Sequence, residues 1–147
     1  MESTEAGCAS HCPKQEVMDT NNRVIQLCMQ GTQAEFQGEL AQAHALYQQA
    51  WQTAQDNYEA CIAAHYLARH QEDLQEKLHW NQVALNKANG VTDGRIQPFY
   101  PSLFLSVGES YELLGNLEQA QQYYDLAAEL GVVHQPGYTQ QRTGYAK

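Results

Sequence analysis

The chain has 147 residues, of which 43% are hydrophobic and only four are proline, so it can bury a core without disulfides or metal. Its formal net charge of -9, with eight scattered Lys and Arg, excludes the basic patch that nucleic acid or an anionic membrane surface requires. No apolar run approaches the roughly 20 residues that span a bilayer, and the polar N-terminus does not resemble a signal peptide. We therefore expect a cytoplasmic protein without nucleic-acid or membrane partners.

The first residues of the chain are expected to form a disordered tail. Residues 1–14 contain Ser, Thr, Gly and Pro without apolar periodicity, which is typical of a disordered segment. Cys8, His11 and Cys12 lie together in this segment, but no third and fourth ligand follows at the spacing of a metal site. We expect no metal and no other cofactor. Cys28 and Cys61 lie within helical patterns and are expected to be buried free thiols.

An internal repeat follows. Displacing the sequence by 77 residues gives eight identities within the twenty residues 31–50, where average composition gives about two. A displacement of 34 residues reveals a weaker copy between them, and nine extra residues separate the second copy from the third. The eight identical pairs are Gly31 and Gly108, Glu35 and Glu112, Gly38 and Gly115, Leu40 and Leu117, Gln42 and Gln119, Ala43 and Ala120, Tyr47 and Tyr124, and Ala50 and Ala127.

Each copy predicts two helices. In the third copy, apolar residues recur every three to four positions on both sides of Gly115, which can end the first helix in a left-handed conformation. The middle copy has no glycine at this turn, and Asp73 is instead expected to cap its second helix. The apolar positions of the third copy are Leu103, Val107, Tyr111 and Leu114, followed by Leu117, Ala120, Tyr124, Ala127 and Leu130.

This pattern of small, aromatic, glycine, Leu, Ala, aromatic and Ala residues resembles the tetratricopeptide repeat. The match covers residues 22–131 and is carried by Gly108, Tyr111, Gly115, Leu117, Ala120, Tyr124 and Ala127. The resemblance implies an all-α fold, a right-handed α-superhelix of about three helix pairs. We place this domain at residues 15–133, with repeats at about 24–57, 58–91 and 101–133, and with a flexible tail at 134–147. A nine-residue insertion lies near 92–100, and the turn-forming residues at 90–94 predict a loop there.

The middle copy departs from the pattern. His65 occupies the small position of its first helix, Lys77 the alanine position and Asn81 the aromatic position. Two interpretations stay open. Either these residues form a polar cluster inside the unit, or the first helix slips by one residue. In the second case Ala60, Ala64 and Leu67 face inward, while His65 and Arg69 face the concave groove.

The resemblance implies an interaction module rather than an enzyme, and no catalytic or phosphate-binding motif is present in the sequence. A partner protein would place a peptide or helix in the concave groove formed by the first helices. The alternative function is a small-molecule or nucleotide sensor. Its pocket would consist of His65, Arg69 and Asn81 of the middle copy together with Trp80 and Tyr100, two aromatic residues that flank the insertion. Across both functions the candidate binding residues are His65, Tyr66, Arg69, His70, Trp80, Asn81, Tyr100, Glu109 and Glu112.

The last helix predicts an association surface. Tyr123, Leu126 and Leu130 form a stripe facing away from Tyr124 and Ala127, and the residues that follow are too short and broken to provide a capping helix. Two outcomes are open: either Val132 and Val133 fold back across this stripe, or two chains pair through it as a symmetric dimer. We favour the dimer.

Overall fold

The computed structural model describes residues 20–132. This part of the chain forms six α-helices and a short 3₁₀ helix, and it contains no strand. We number the α-helices α1 to α6 in chain order: α1 Arg23–Phe36, α2 Leu40–Thr53, α3 Asn57–Arg69, α4 Leu74–Asn89, α5 Tyr100–Leu113 and α6 Leu117–Glu129. The 3₁₀ helix, Gly94–Phe99, lies between α4 and α5. The expectation of an all-α fold is confirmed for the described residues.

The helices follow the repeat in the sequence. The second helices α2, α4 and α6 begin at Leu40, Leu74 and Leu117, which are separated by the expected 34 and 43 residues. The side chains of Asn22 and Asp56, also 34 residues apart, accept hydrogen bonds from backbone N–H groups of α1 and α3. The structure therefore follows the 34-residue register, and the one-residue slip of α3 is not observed.

The turns within the pairs are set by local chemistry. Gly38 and Gly115 have φ angles of 81° and 86°, a conformation that residues with a β-carbon rarely adopt. Each is followed by a residue whose N–H reaches back to the helix, at 2.9 Å, from Glu39 to the Ala34 carbonyl and from Asn116 to the Tyr111 carbonyl. The middle pair uses Asp73 instead, which accepts a 2.8 Å hydrogen bond from the Gln75 N–H. Both predicted kinds of turn are confirmed.

The helices pack as three pairs, α1 with α2, α3 with α4, and α5 with α6, and each pair packs on the next. Ala60, Ala64 and Leu67 of α3 are buried even without a slip, because α2 of the preceding pair packs against α3. The equivalent residues of α5, Leu103, Val107 and Ser110, are buried too. In α1, which follows no other described helix, these positions are polar and partly or fully exposed: Gln26, Gln30 and Gln33.

Two glycines allow the helices of the outer pairs to pack closely. A β-carbon at Gly108 would lie 2.6 Å from Cε1 of Tyr124, and one at Gly31 would lie 2.8 Å from Cδ1 of Tyr47 and nearer still to its Cε1. Both tyrosines are buried. Each ring therefore occupies the space that a side chain on the facing helix would need.

The predicted loop at residues 90–94 is present from residue 90 to residue 93, and the insertion continues from there as a 3₁₀ helix. Residues 94–99 form a 3₁₀ helix, started by Asp93, whose carboxylate accepts a 3.0 Å hydrogen bond from the Arg95 N–H. Ile96 is buried, and the Arg95 guanidinium lies 4.0 Å from the centre of the Tyr58 ring. The buried side chain and the cation–π contact hold the segment against α3, which explains its regular conformation.

Several expectations concern residues outside the described range, namely the tails at 1–14 and 134–147, the Cys8–His11–Cys12 cluster and Val133. Within the range, Cys28 and Cys61 are buried free thiols, as expected, and burial raises the pKa of each to about 12. None of the helices at 20–132 combines the length and the apolar character that crossing a membrane requires.

Candidate functional site

A network of hydrogen bonds joins the first pair to the second. Glu35, near the end of α1, accepts hydrogen bonds from Arg69 at 2.8 Å, from Tyr47 at 2.5 Å and from Nε2 of His70. Tyr47 and Tyr66 stack with their ring centres 5.2 Å apart. The hydrogen bonds to Tyr47 and His70 and the charge of Arg69 outweigh the effect of burial and lower the pKa of Glu35. Glu35 is therefore ionised at neutral pH and links the two pairs.

Three of the predicted binding residues belong to this network. Tyr66, Arg69 and His70 lie at the junction of the first two pairs, where Arg69 also lies 5.4 Å from the centre of the Tyr66 ring. The Arg69 side chain is still 45% exposed, so it can contact a partner from this position. Sequence reasoning found these residues but missed Glu35 as the common acceptor of Arg69 and His70.

A polar cavity of about 160 Å³ lies between the second and third pairs. It brings together His65 and Arg69 of α3, Asn81 of α4 and Glu109 of α5 from the predicted set, and adds Lys77 of α4. The Lys77 ammonium donates to the Ala68 carbonyl at 3.1 Å, near the end of α3. Burial lowers the pKa of Lys77, and the opposite charge of Glu109 counteracts part of that effect. The expected polar cluster of the middle copy is present, and it opens into this cavity.

His65 is the least satisfied polar side chain in this cluster. Its Nδ1 atom is buried and has no hydrogen-bond partner among the described residues. Burial, together with the positive charge of Arg69, lowers the pKa of His65 to about 4, so the imidazole is neutral at pH 7. A buried polar atom without a partner costs about 1–3 kcal/mol. The protein therefore keeps a destabilising group at this position.

Asn81 is buried and satisfied. Its amide donates to the Ser110 hydroxyl at 2.8 Å, and Ser110 in turn donates to the Ser106 carbonyl at 2.9 Å. In the outer pairs a tyrosine of the second helix faces a glycine of the first. In the middle pair the ring belongs to His65 on the first helix, and the smaller side chain, Asn81, lies on the second. Both residues line the polar cavity, so the two departures from the repeat lie at the same place in the structure.

The remaining predicted residues lie elsewhere. Trp80 packs edge-to-face on Trp51, with ring centres 5.1 Å apart, and the Tyr100 hydroxyl donates to the Asn89 side chain at 2.8 Å. Neither ring lines the cavity beside His65. The prediction of a single sensor pocket is therefore wrong, because it required Trp80 and Tyr100 to lie beside His65, Arg69 and Asn81. Two of its aromatic members are held against other residues.

Glu112 repeats the chemistry of Glu35. It accepts a 2.5 Å hydrogen bond from the Tyr124 hydroxyl, as Glu35 does from Tyr47, and both pairs of residues are related by 77 positions. This contact lies within the third pair. Glu112, which was predicted as a binding residue, therefore also joins α5 to α6 within the third pair.

Exposed apolar side chains recur at the turns of the helix pairs. Phe36 is 87% exposed and its repeat equivalent Leu113 is 53% exposed. The first residue of each second helix is also exposed: Leu40, Leu74 and Leu117. We call these five residues the apolar row. The row could have been recognised from the sequence, because Leu40, Leu74 and Leu117 stand at corresponding positions of the three copies.

These turns lie on one edge of the molecule. Glu35 and Arg69, which are near the ends of α1 and α3, bond to each other. Arg69 and Leu113, which are near the ends of α3 and α5, line the same cavity. The ends of α1 and α3 are therefore in direct contact, whereas the ends of α3 and α5 meet at the cavity, and the apolar row lies along these ends.

The last helix exposes only part of the predicted stripe. Leu126 and Leu130 are exposed, at 37% and 49%. Tyr123 is instead half-buried, because its ring stacks on Tyr111 with centres 5.8 Å apart and also contacts Phe104. Including Tyr123 in an exposed stripe was wrong, since α5 covers that side of α6.

Comparison of the chain with protein-family models, with curated proteins and with solved structures gives no match. The functional argument therefore rests on the residues and their geometry.

Proposed function

We propose that this chain is a tetratricopeptide-type interaction module, a short right-handed superhelix of three helix pairs that binds a segment of a partner protein. The observation that carries the proposal is the apolar row, above all the almost fully exposed Phe36 with Leu113 at the equivalent position. Scattered apolar residues are normal on a protein surface, but these five lie at corresponding turns of the repeats. Repetition at corresponding turns supports a binding surface that spans all three pairs.

The charges beside the row indicate the kind of partner. The turns and first helical residues next to Leu40, Leu74 and Leu117 carry exposed acidic side chains: Glu39, Glu72, Asp73, Glu76 and Glu118. Nearby Arg69 is paired with Glu35. The complementary partner is a segment that presents apolar side chains together with Lys or Arg, because opposite charges favour encounter and correct orientation.

The network at Glu35 supports a rigid groove. Hydrogen bonds from three side chains fix Glu35 between the first two pairs, and Asn81 joins the second pair to the third through Ser110. A surface held in this way loses little conformational entropy when it binds. The proposal therefore combines an apolar row for affinity with a fixed spacing of the turns for selectivity.

Affinity capture with a matched control tests the proposal. The full chain, the double variant Phe36→Ser with Leu113→Ser, and the control Met29→Ser, which changes an exposed apolar residue outside the row, are immobilised and exposed to the same cell extract. We expect at least one protein to be retained stoichiometrically by wild type and by Met29→Ser, but not by the double variant. Retention should weaken with salt, since acidic side chains contribute to it. Equal retention of every protein by all three forms would contradict the proposal.

A further inference from the structure

The first helices of the three pairs are not evenly spaced. Helix α1 packs against α3, but the corresponding helices α3 and α5 are barely in contact. The nine extra residues and their 3₁₀ helix lie between α4 and α5, where they set the position of the third pair. The result is a gap between α3 and α5 that has no counterpart between α1 and α3.

Two cavities occupy this gap, and His65 lines both. The polar cavity of about 160 Å³ has Lys77 on one side and Glu109 on the other. The second cavity, of about 180 Å³, is mainly apolar and is lined by Ile62, Phe99 and Leu103 among others. Together they are at the small end of the range for ligand sites, so a compact ligand is indicated.

The polar cavity contains both signs of charge. Lys77 of α4 and Glu109 of α5 interact electrostatically across it, and Arg69 adds a second positive charge at its edge. An ammonium group on a ligand would find a carboxylate here, and a carboxylate group would find an ammonium and a guanidinium. A ligand with only one of these groups would contact either Glu109 or the positively charged side chains, but not both.

His65 supplies the second, independent observation. Its buried Nδ1 has no partner among residues 20–132, although the ring forms part of the wall of both cavities. Buried polar atoms in folded proteins nearly always have a hydrogen-bond partner, so an orphan at a cavity wall points to a missing group. A neutral imidazole can donate from one nitrogen and accept at the other, which suits a ligand with both kinds of group.

We propose that the gap between α3 and α5 binds a free apolar α-amino acid, whose ammonium and carboxylate groups lie between Glu109 and Lys77 and whose side chain enters the cavity of Ile62, Phe99 and Leu103. His65, whose ring lines both cavities, contacts the ligand between its charged groups and its side chain. Leu113 of the apolar row also lines the polar cavity, but the other four row residues line neither cavity, so the proposal does not depend on the proposed partner.

Calorimetric titration of the full chain with defined probes tests the site. The probes are L-phenylalanine and L-leucine, with 3-phenylpropionate and phenethylamine as analogues that each lack one charged group. We expect saturable binding of at least one amino acid, one per chain, and at least tenfold weaker binding of both analogues. No binding of either amino acid at millimolar concentration, or analogues that bind as well as phenylalanine, would overturn the proposal.

A pair of carboxylate variants locates the site. Glu109→Gln should weaken amino-acid binding at least tenfold, whereas Glu129→Gln, which changes an exposed carboxylate at the end of α6, should leave it unchanged. Equal binding by wild type and Glu109→Gln would overturn the assignment to this gap. Circular dichroism checks the fold of each variant. Should Glu109→Gln fail to fold, the analogue series on the wild-type chain still decides between the outcomes.

Discussion

The Tyr124 hydroxyl donates a 2.5 Å hydrogen bond to the Glu112 carboxylate, across the two helices of the third pair. The first pair repeats this bond between Tyr47 and Glu35, also at 2.5 Å. Because both members of each bond are related by 77 residues, the two outer pairs share their packing and also the polar contact that closes it. The middle pair, with Asn81 in place of tyrosine, has a different contact, to Ser110 of the next pair.

Removal of these hydroxyls should destabilise the protein. Tyr124→Phe and Tyr47→Phe each delete a hydrogen bond to a charged acceptor, for which we expect a loss of about 1–3 kcal/mol in the free energy of unfolding. Tyr47→Phe should cost more, because Tyr47 is fully buried and its hydroxyl also lies 3.3 Å from the Thr32 hydroxyl. Urea unfolding followed by circular dichroism measures both. Unchanged midpoints in the two variants would show that the bonds contribute nothing.

Close packing at Gly108 gives a second prediction. Gly108→Ala places a methyl group 2.6 Å from the Tyr124 ring and 3.3 Å from the Ala120 carbonyl oxygen, so the ring or helix α6 must shift. We expect a loss of about 1–3 kcal/mol, as for other overpacked cores. The matched control is Gly94→Ala, where no atom lies within 4 Å of the added carbon. A Gly108→Ala variant as stable as Gly94→Ala would disprove the close approach of α5 and α6.

The protonation of His65 should make stability depend on pH. Its folded-state pKa of about 4 lies below the unfolded value of about 6.5, so the unfolded chain binds the proton more readily between these values. Stability should therefore fall as the pH drops from about 6.5 to about 4, by at most about 3 kcal/mol from this residue. His65→Gln should remove that part of the slope.

The control for this measurement is His79→Gln, which changes an exposed histidine of α4. Thermal unfolding at a series of pH values, on wild type and both variants, gives the three slopes. The wild-type slope should persist in His79→Gln and decrease in His65→Gln. The same decrease in both variants would assign the pH dependence to some other feature of the protein.

The end of the last helix predicts self-association. Leu126 and Leu130 expose apolar surface on α6, and we expect two chains to pair through them as a symmetric dimer. Sedimentation equilibrium at tens of micromolar should show a dimer for wild type and a monomer for Leu126→Glu. A wild-type chain that stays monomeric rules the dimer out. A dimer that persists in Leu126→Glu would place the interface elsewhere.

The sequence predicted the helix pairs because their signals are local. The glycine turns at Gly38 and Gly115 and the Asp73 cap depend on residues within a few positions of each helix end. The position of the third pair could not be predicted in the same way. It depends on Ile96 and Arg95, which hold the insertion against the rest of the protein. The periodic pattern of apolar residues in the sequence does not reveal these contacts.

The candidate site was predictable in part for the same reason. His65 and Asn81 were singled out because they break a repeat, and the structure places both at one cavity. Glu35 was missed as a partner of Arg69, since the two are 34 residues apart and meet only when the pairs stack. Trp80 was selected for being aromatic near the insertion, but an indole can pack equally well on a second indole, as it does on Trp51.

The central claim, that the apolar row binds a partner segment, is tested most directly by mapping the bound surface. Amide chemical shifts of the labelled chain are recorded with and without a partner obtained by capture. The account predicts that the largest changes fall at the turns 36–40, 70–74 and 113–117, and that Phe36→Ser with Leu113→Ser abolishes them. Changes confined to the outer surfaces of α2, α4 and α6, and unaffected by the double variant, would contradict it.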